Sequence, residues 1–466
     1  MVENDVLTDS VQPPPVPAAE LFGHPRGLTF LFTTEMWERF SYYGMRSLLV
    51  LYMTKYLLLA DHSGNVAGLD ALRRVLESVF GPLGVQPLSS QIWGLYTGLV
   101  YFTPIFGGLL ADRLLGQRRA VVIGAVLMAI GHFMMAIEQL FLFALLTLIL
   151  GSGCFKSNIS TQVGGLYAPG DGRRDRAYSM FYVGINLGAF LAPLVCGTLG
   201  EKAGWHYGFV AAGVGMMIGL SIYLYALPLL PPDELHKALA AHHQRKPLDA
   251  GERRAVLGLL ALFVPNTLFW AAYEQMGNTI VLWADTNTDR GIDLFGFSGQ
   301  IPTTWFLAFN PFMIFAFTPF VVTLWSRQGA RGAEPPTIRK MAYGCFGLCA
   351  AYLILASAAL YSGGAKASWL WLLAYFAVLT LGELYLSPVG LSFVTKIAPT
   401  RMLSMMMGIW LAASFTGGFL AGFIGSFWSR MAKPEFFLLV AGIAALAGVM
   451  IFGCQSVGKG AWEDRS

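Results

Sequence analysis

The run EMWERFSYYGMR, residues 35–46, lies within a segment that is otherwise apolar enough to enter a bilayer. Its Glu35, Glu38, Arg39, Tyr42, Tyr43 and Arg46 recur at helical intervals, so a helix aligns all six on one stripe. Phe32, Met36, Phe40 and Leu48 supply apolar surface around that stripe. A charge at the centre of a membrane helix costs roughly 2.5–3.5 kcal/mol by insertion scales. Two carboxylates, two guanidiniums and two phenols on one face therefore require a wet or mutually paired interior. The reading is a membrane helix whose polar face lines a functional chamber.

The rest of the chain fits that reading. Hydrophobic residues make up 55% of the 466 positions and charged residues only 12%, the balance of a multi-pass membrane protein rather than a soluble globule. A spanning helix needs about 20 apolar residues. Twelve such spans are predicted, starting near Leu28, Ser90, Ala120, Leu140, Tyr178, Tyr207, Ala255, Thr303, Met341, Ser368, Leu403 and Phe436. Basic residues concentrate in alternate loops: Arg113, Arg118 and Arg119; Arg173, Arg174 and Arg176; Lys237, Arg245, Lys246, Arg253 and Arg254; Arg327, Arg331, Arg339 and Lys340; Lys396 and Arg401. The positive-inside rule then places both termini in the cytoplasm. No basic cluster sits on a soluble domain, which argues against nucleic acid as a partner. The five cysteines fall in or near spans and form no CxxC pattern, so no disulfide framework or metal site is expected, and no cofactor.

Residues 1–26, acidic and proline-rich, read as a disordered cytoplasmic tail. Residues 231–254 are the most polar internal stretch and divide the spans six and six. The expected organisation is a six-helix bundle over 27–230, a cytoplasmic linker over 231–254 holding one amphipathic helix, a second bundle over 255–454, and a tail over 455–466. Halves related by an axis along the membrane normal make spans 1 and 7, 2 and 8, and 4 and 10 equivalent. The loop at about 61–88 is long enough for a short surface helix, ALRRVLESVF. GGLLADRLLGQRR (107–119) follows span 2 and matches the loop signature of the major facilitator superfamily; TLWSRQGARG (323–332) is its faint echo after span 8.

Outside span 1, the embedded ionisable candidates are Lys156, Glu274 and Glu383. At ~1.5 Å per residue, Arg46 and Glu274 fall at matching depths in the outer half, and Lys156 and Glu383 in the inner half. Signs are opposite within each pair. Arg46–Glu274 is therefore expected to close the outer side and Lys156–Glu383 the inner side. Glu35, Glu38 and Arg39 sit near mid-membrane. Two carboxylates beside one guanidinium cannot both ionise comfortably there, which points to proton coupling. His132, also embedded, is expected to be a packed residue.

Four motifs, in order and on the right spans, carry a family resemblance. EMWERFSYYG matches ExxERFxYYG; SMFYVGINLGA carries Phe181, Tyr182, Ile185, Asn186 and Gly188; FWAAYEQ matches FWxxxxQ; GELYLSPVGL carries Gly382, Glu383, Pro388, Gly390 and Leu391. The chain resembles the proton-dependent oligopeptide transporter family, within the major facilitator superfamily. The resemblance implies an all-α membrane protein of twelve helices in two six-helix bundles. It also implies proton-coupled import of di- and tripeptides across the bacterial inner membrane, by alternating access and as a monomer. Under it, Arg39 and Lys156 face the peptide carboxylate and Glu383 its amino terminus. Asn186 and Asn310 hold the backbone or termini. Tyr42, Tyr43, Tyr101, Trp270 and Trp410 line side-chain pockets, and Glu35, Glu38 and Glu274 take part in proton movement. The residues agree: a zwitterion needs fixed opposite charges, amides and tolerant aromatic walls. Many bacterial members carry two additional helices between the halves, for which 231–254 is too short. The same-fold alternative is a proton-coupled carrier of another small anion, such as nitrate, or of an amphipathic metabolite. Plant anion carriers of the family tend to lose the ExxER carboxylates, which are intact here. No HExxH, GxSxG or paired catalytic aspartates suggest an enzyme.

Overall fold

The computed structural model describes residues 20–21, 23–168, 170–233, 249–294, 297–399 and 402–458. Most of the expected N-terminal tail, the middle of the linker (234–248) and the last eight residues lie outside them. Twelve long helical passes make up the described chain. They are α1 (Arg26–Tyr52), α2 (Val85–Leu110), α3 (Gln117–Met134), α4 (Phe141–Gly165), α5 (Arg173–Ala192) and α6 (Trp205–Ala226). After the linker come α7 (Gly251–Thr286), α8 (Phe309–Ala330), α9 (Thr337–Ser362), α10 (Leu370–Ile397), α11 (Leu403–Gly425) and α12 (Lys433–Gly458). Ten of the passes are long and apolar enough to cross a membrane on composition alone. Helix α1, with its charged stripe, and α3, which opens on Arg118 and Arg119, complete the set.

Several helices begin a few residues before the expected spans, because they run past the apolar stretch into polar loop sequence. Helix α7 shows the cause. Asp249 accepts from the backbone N–H of Glu252, whose side chain caps in return, and this capping box starts the helix within the expected linker. At the other end of the chain, Glu20–Leu21 pairs with His24–Pro25, and Arg173 binds both Glu20 and Asp171, so order begins before residue 27. Arg173, through its side chain and its backbone N–H, holds the Asp171 carboxyl below its usual range.

The packing repeats itself. In the first half α1 lies on α5 and α6, α2 and α3 lie on α4, and α3 lies on α6. In the second half α7 lies on α11 and α12, α8 and α9 lie on α10, and α9 lies on α12. Each contact maps onto its counterpart by adding six to the helix number. The halves meet along α2–α11 and α5–α8, which exchange under the same rule. Close approach at the first seam requires Gly94 and Gly422: a Cβ on either would overlap the other's backbone. Outward-facing Ile123, Val126 and Ile130 of α3 and Leu446, Val449 and Phe452 of α12 remain exposed, as lipid-facing surfaces should. The expected surface helix in the first long loop is present at Leu69–Phe80.

Candidate functional site

Between the halves lies a cavity of about 940 Å³, counting the part open to solvent. Its wall includes Tyr43, Arg46, Tyr101, Asn186, Trp270, Glu274, Asn310 and Glu383, eight of the residues singled out from sequence. Residues of α1, α2, α5, α7, α8 and α10 form this wall, with Leu307 just before α8.

The charged stripe of α1 divides in two. Arg39 Nε donates to Glu35 Oε1 at 2.7 Å and lies 3.1 Å from Glu38 Oε2. Glu38 is fully buried, and neither of its oxygens has a hydrogen bond. Lys156 Nζ stands 4.2 Å from the Tyr42 ring and 5.2 Å from the Tyr101 ring, a cation held on two aromatic faces. It sits behind Tyr101 rather than on the cavity wall itself.

Further along α1, Arg46 is paired with Glu274, both buried, and its guanidinium lies 5.0 Å from the Trp93 ring. Glu274 occupies a break in α7. The helix ends at Tyr273, turns through a 3-10 segment at Glu274–Gly277, and resumes at Thr279–Thr286. Gln275 and Asn278 reach to the carbonyl of Ala421 on α11, and Ser90 of α2 donates to Asn278 at 2.9 Å. A Cβ on Gly277 would crowd Trp93, so the break lets α1, α2 and α7 meet. A further layer of inter-half contacts lies beyond it. Lys55 binds Asp285 at 2.7 Å. Glu201, after α5, accepts from the backbone N–H groups of Thr303 and Thr304, each at 2.8 Å, and from the Thr304 hydroxyl at 2.7 Å.

Glu383 is held differently. Asn310 Nδ2 donates to it at 2.8 Å, and the Tyr273 hydroxyl is also in reach. Lys156 is not its partner: the carboxylate's hydrogen bonds come from α7 and α8, and the ammonium rests on tyrosines of α1 and α2. In this structure the expected inner pair is therefore separated, each member satisfied within its own half. Trp410 is buried with its ring filling the space beside Gly390, and it does not line the cavity. His132 is buried, with neither ring nitrogen bonded.

Sequence reasoning missed Tyr182 and Tyr273, which both line the cavity. The signal was present: Tyr182 is itself a motif residue of α5, named there without a role at the site, and Tyr273 lies within FWAAYEQ. It also missed Glu201, which stands outside every motif. Among the described residues no three His, Cys, Asp or Glu side chains gather as metal ligands would.

The model of the POT family matches residues 118–231 and 233–439. The chain belongs to the POT family. A di-/tripeptide transporter of Lactococcus lactis subsp. cremoris is 33% identical over 92% of this chain and 95% of its own. The peptide transporter YePEPT of Yersinia enterocolitica is 34% identical over 87% of this chain and 88% of its own. Among solved structures, the peptide transporter POT in complex with sulfate superposes with a TM-score of 0.81 at 31% identity, covering 95% of this chain and 97% of that one. A single-residue mutant of peptide transporter POT in complex with alafosfalin gives 0.79 at 32% identity, with the same coverage. The fold is thus the two-bundle transporter fold, and the protein is a multi-pass membrane protein.

Proposed function

We propose that the protein is a proton-coupled symporter that imports di- and tripeptides by alternating access and works as a monomer, without covalent chemistry. The observation that carries this reading is the cavity's charge layout. Glu383, on the cavity wall, is held only by neutral donors, so it can accept a peptide's amino terminus; Arg39 and Lys156, which stand behind the wall in this state, would supply the opposite charge for the carboxylate. Asn186 and Asn310 offer amides for the peptide backbone. Tyr43, Tyr101 and Trp270 give walls that tolerate varied side chains. The names of the relatives point to the same substrates.

The basic loops support a cytoplasmic position for the termini and for the end of the bundle where α2 meets α3. The Arg46–Glu274 end is then the outer one. It is closed here, while Lys156 and Glu383 stand apart at the inner side: a state facing inward. In the proposed cycle Glu38 and Glu274 hold the proton. Glu38, buried and without a hydrogen bond although Arg39 stands 3.1 Å away, can shed its desolvation cost by binding a proton. Protonation of Glu274 frees Arg46 and lets the outer side open.

Uptake of labelled dialanine into proteoliposomes with an alkaline interior tests the reading. Accumulation above equilibrium that an uncoupler abolishes is expected. No gradient-driven uptake of dialanine, together with gradient-driven uptake of nitrate, would replace peptide with an anion.

A further inference from the structure

The break in α7 is held to the first half at both of its ends. Glu274 opens the turn and pairs with Arg46 of α1; Asn278 closes it and accepts from Ser90 of α2 at 2.9 Å. The second attachment belongs to a longer chain of bonds. Gln86 and Ser90 stand four residues apart near the start of α2, hence on one face, and the Gln86 amide donates to the Ser90 hydroxyl at 2.8 Å. The same amide crosses the seam to the C-terminal end of α11. Its Nε2 donates to the Gly425 carbonyl at 3.0 Å, and its Oε1 accepts from the Ser429 N–H at 3.1 Å. Carbonyls at a helix end lack α-helical partners, and Gln86 supplies Gly425 with a donor from the opposite half. Asn278 in turn donates to the Ala421 carbonyl of α11. Ser90 and Asn278 are fully buried. A Cβ on Gly425 would overlap the Asn278 amide, so α11 carries a glycine where the chain of bonds passes it.

We infer that Gln86, Ser90 and Asn278 form a second outer lock, one that no proton releases and that sets how acid the outside must be before the carrier opens. The inference deepens the reading of Glu274 as a proton site and rests on it for the pH dependence alone. Opening the outer side must part α2 from α7 and α11, just as it parts α1 from α7. The two locks answer to different signals. Within electrostatic range of Glu274 are Arg46 of α1, Lys156 of α4 and Glu383 of α10, with the phenols of Tyr42, Tyr43, Tyr101, Tyr273 and Tyr352 around them. A proton on Glu274 removes its side of the charged lock. The second lock is built from two amides, a hydroxyl and backbone groups, none of which titrates where carboxylates do. Arg430, which donates to the Pro82 carbonyl before α2, keeps its charge throughout. The neutral bonds therefore add a fixed weight to the closed state. Removing one member leaves Asn278 or the end of α11 short of a partner when the seam is shut, whereas water replaces that partner when it is open. The closed state loses by the change, and less acid suffices to open it.

The test uses Ser90→Ala and Gln86→Ala, with Ser89→Ala as control. Ser89 is buried in the same turn of α2, and its hydroxyl has no hydrogen bond. Spin labels on exposed Leu59 and Asp289 report the outer side in proteoliposomes at one fixed pH without peptide. The ratio of the long-distance to the short-distance population should rise about fivefold in each of the two variants, the worth of one neutral hydrogen bond. It should hold in the control. The outside pH that gives half-maximal dialanine uptake should move upward by about 0.7 unit, the same factor expressed in protons. An unchanged distance population in both variants overturns the lock, as does a rise in Ser89→Ala equal to theirs. So does an unmoved midpoint in a protein whose uptake responds to pH, because a packing defect lowers uptake at every pH without moving it. Wild-type uptake that does not vary with outside pH defeats the proton reading instead, and the distance populations then still decide the lock.

Discussion

The α1–α7 pair and the α4–α10 pair hold equivalent places in the repeated architecture, yet they are in opposite states. Arg46 and Glu274 have found each other across the seam, with Trp93 beside the guanidinium. Lys156 and Glu383 have not: one lies over Tyr42 and Tyr101, the other takes its hydrogen bond from Asn310. The polar contacts of Lys55, Glu201 and Ser90 with the second half gather at the Arg46 end. The lesson is that the repeat sets which charges can meet, while the disposition of the two halves decides which do. A pair engaged at one end and split at the other is the arrangement alternate opening requires.

The comparison can be broken most forcefully at its closed end. Removing one partner of a buried ion pair costs about 3–5 kcal/mol through the charge left behind, enough to cut uptake about a hundredfold or more. Arg46→Glu and Glu274→Arg should each show such a loss in dialanine uptake. The double exchange should recover a clear part of it. Two fully active single variants would remove the gate.

At the open end the expected effect is smaller. Lys156→Ala should weaken dialanine binding about tenfold, the worth of one charge-assisted hydrogen bond. It should also narrow the preference for dialanine over its amide, read by competition. Unchanged selectivity would take Lys156 out of carboxylate recognition. Glu38→Gln separates coupling from translocation: gradient-driven uptake should fall further than counterflow exchange, whereas equal losses would assign Glu38 to folding or binding. Glu201→Gln should have the mildest effect. The amide keeps one acceptor oxygen for the backbone of Thr303 or Thr304, so the outer layer loosens by about 1 kcal/mol. That should appear as a larger population open at the Arg46 end.

Much of this was legible in the sequence, for a definable reason. Charges inside apolar helices are so costly that Glu35, Glu38, Arg39, Arg46, Lys156, Glu274 and Glu383 could hardly be incidental; period and depth pointed to the Arg46–Glu274 contact that the structure shows and to a Lys156–Glu383 contact that it does not. What could not be read is conformational. Spacing gives the partners available to Lys156, and only the disposition of the halves says whether Glu383 is near. Trp410 illustrates a second limit, because an aromatic on a helix face serves a wall or a glycine notch equally well, and Gly390 took it. Glu201 illustrates a third. It lies in the short helix Thr198–Lys202 after α5, and its donors are the backbone N–H groups of Thr303 and Thr304 and the Thr304 hydroxyl from the other half, which no motif marks. The early start of α7 was readable after all, in the Asp249–Glu252 capping box.

The reciprocal opening of the two ends is tested most directly by paired distance measurements between spin labels. One pair sits on exposed Leu59 and Asp289 at the Arg46 end, the other on exposed Thr161 of α4 and Thr395 of α10. On adding dialanine at acidic pH, the first distance should lengthen in the same population in which the second shortens. If both distances lengthen together, or neither moves, the two ends do not alternate.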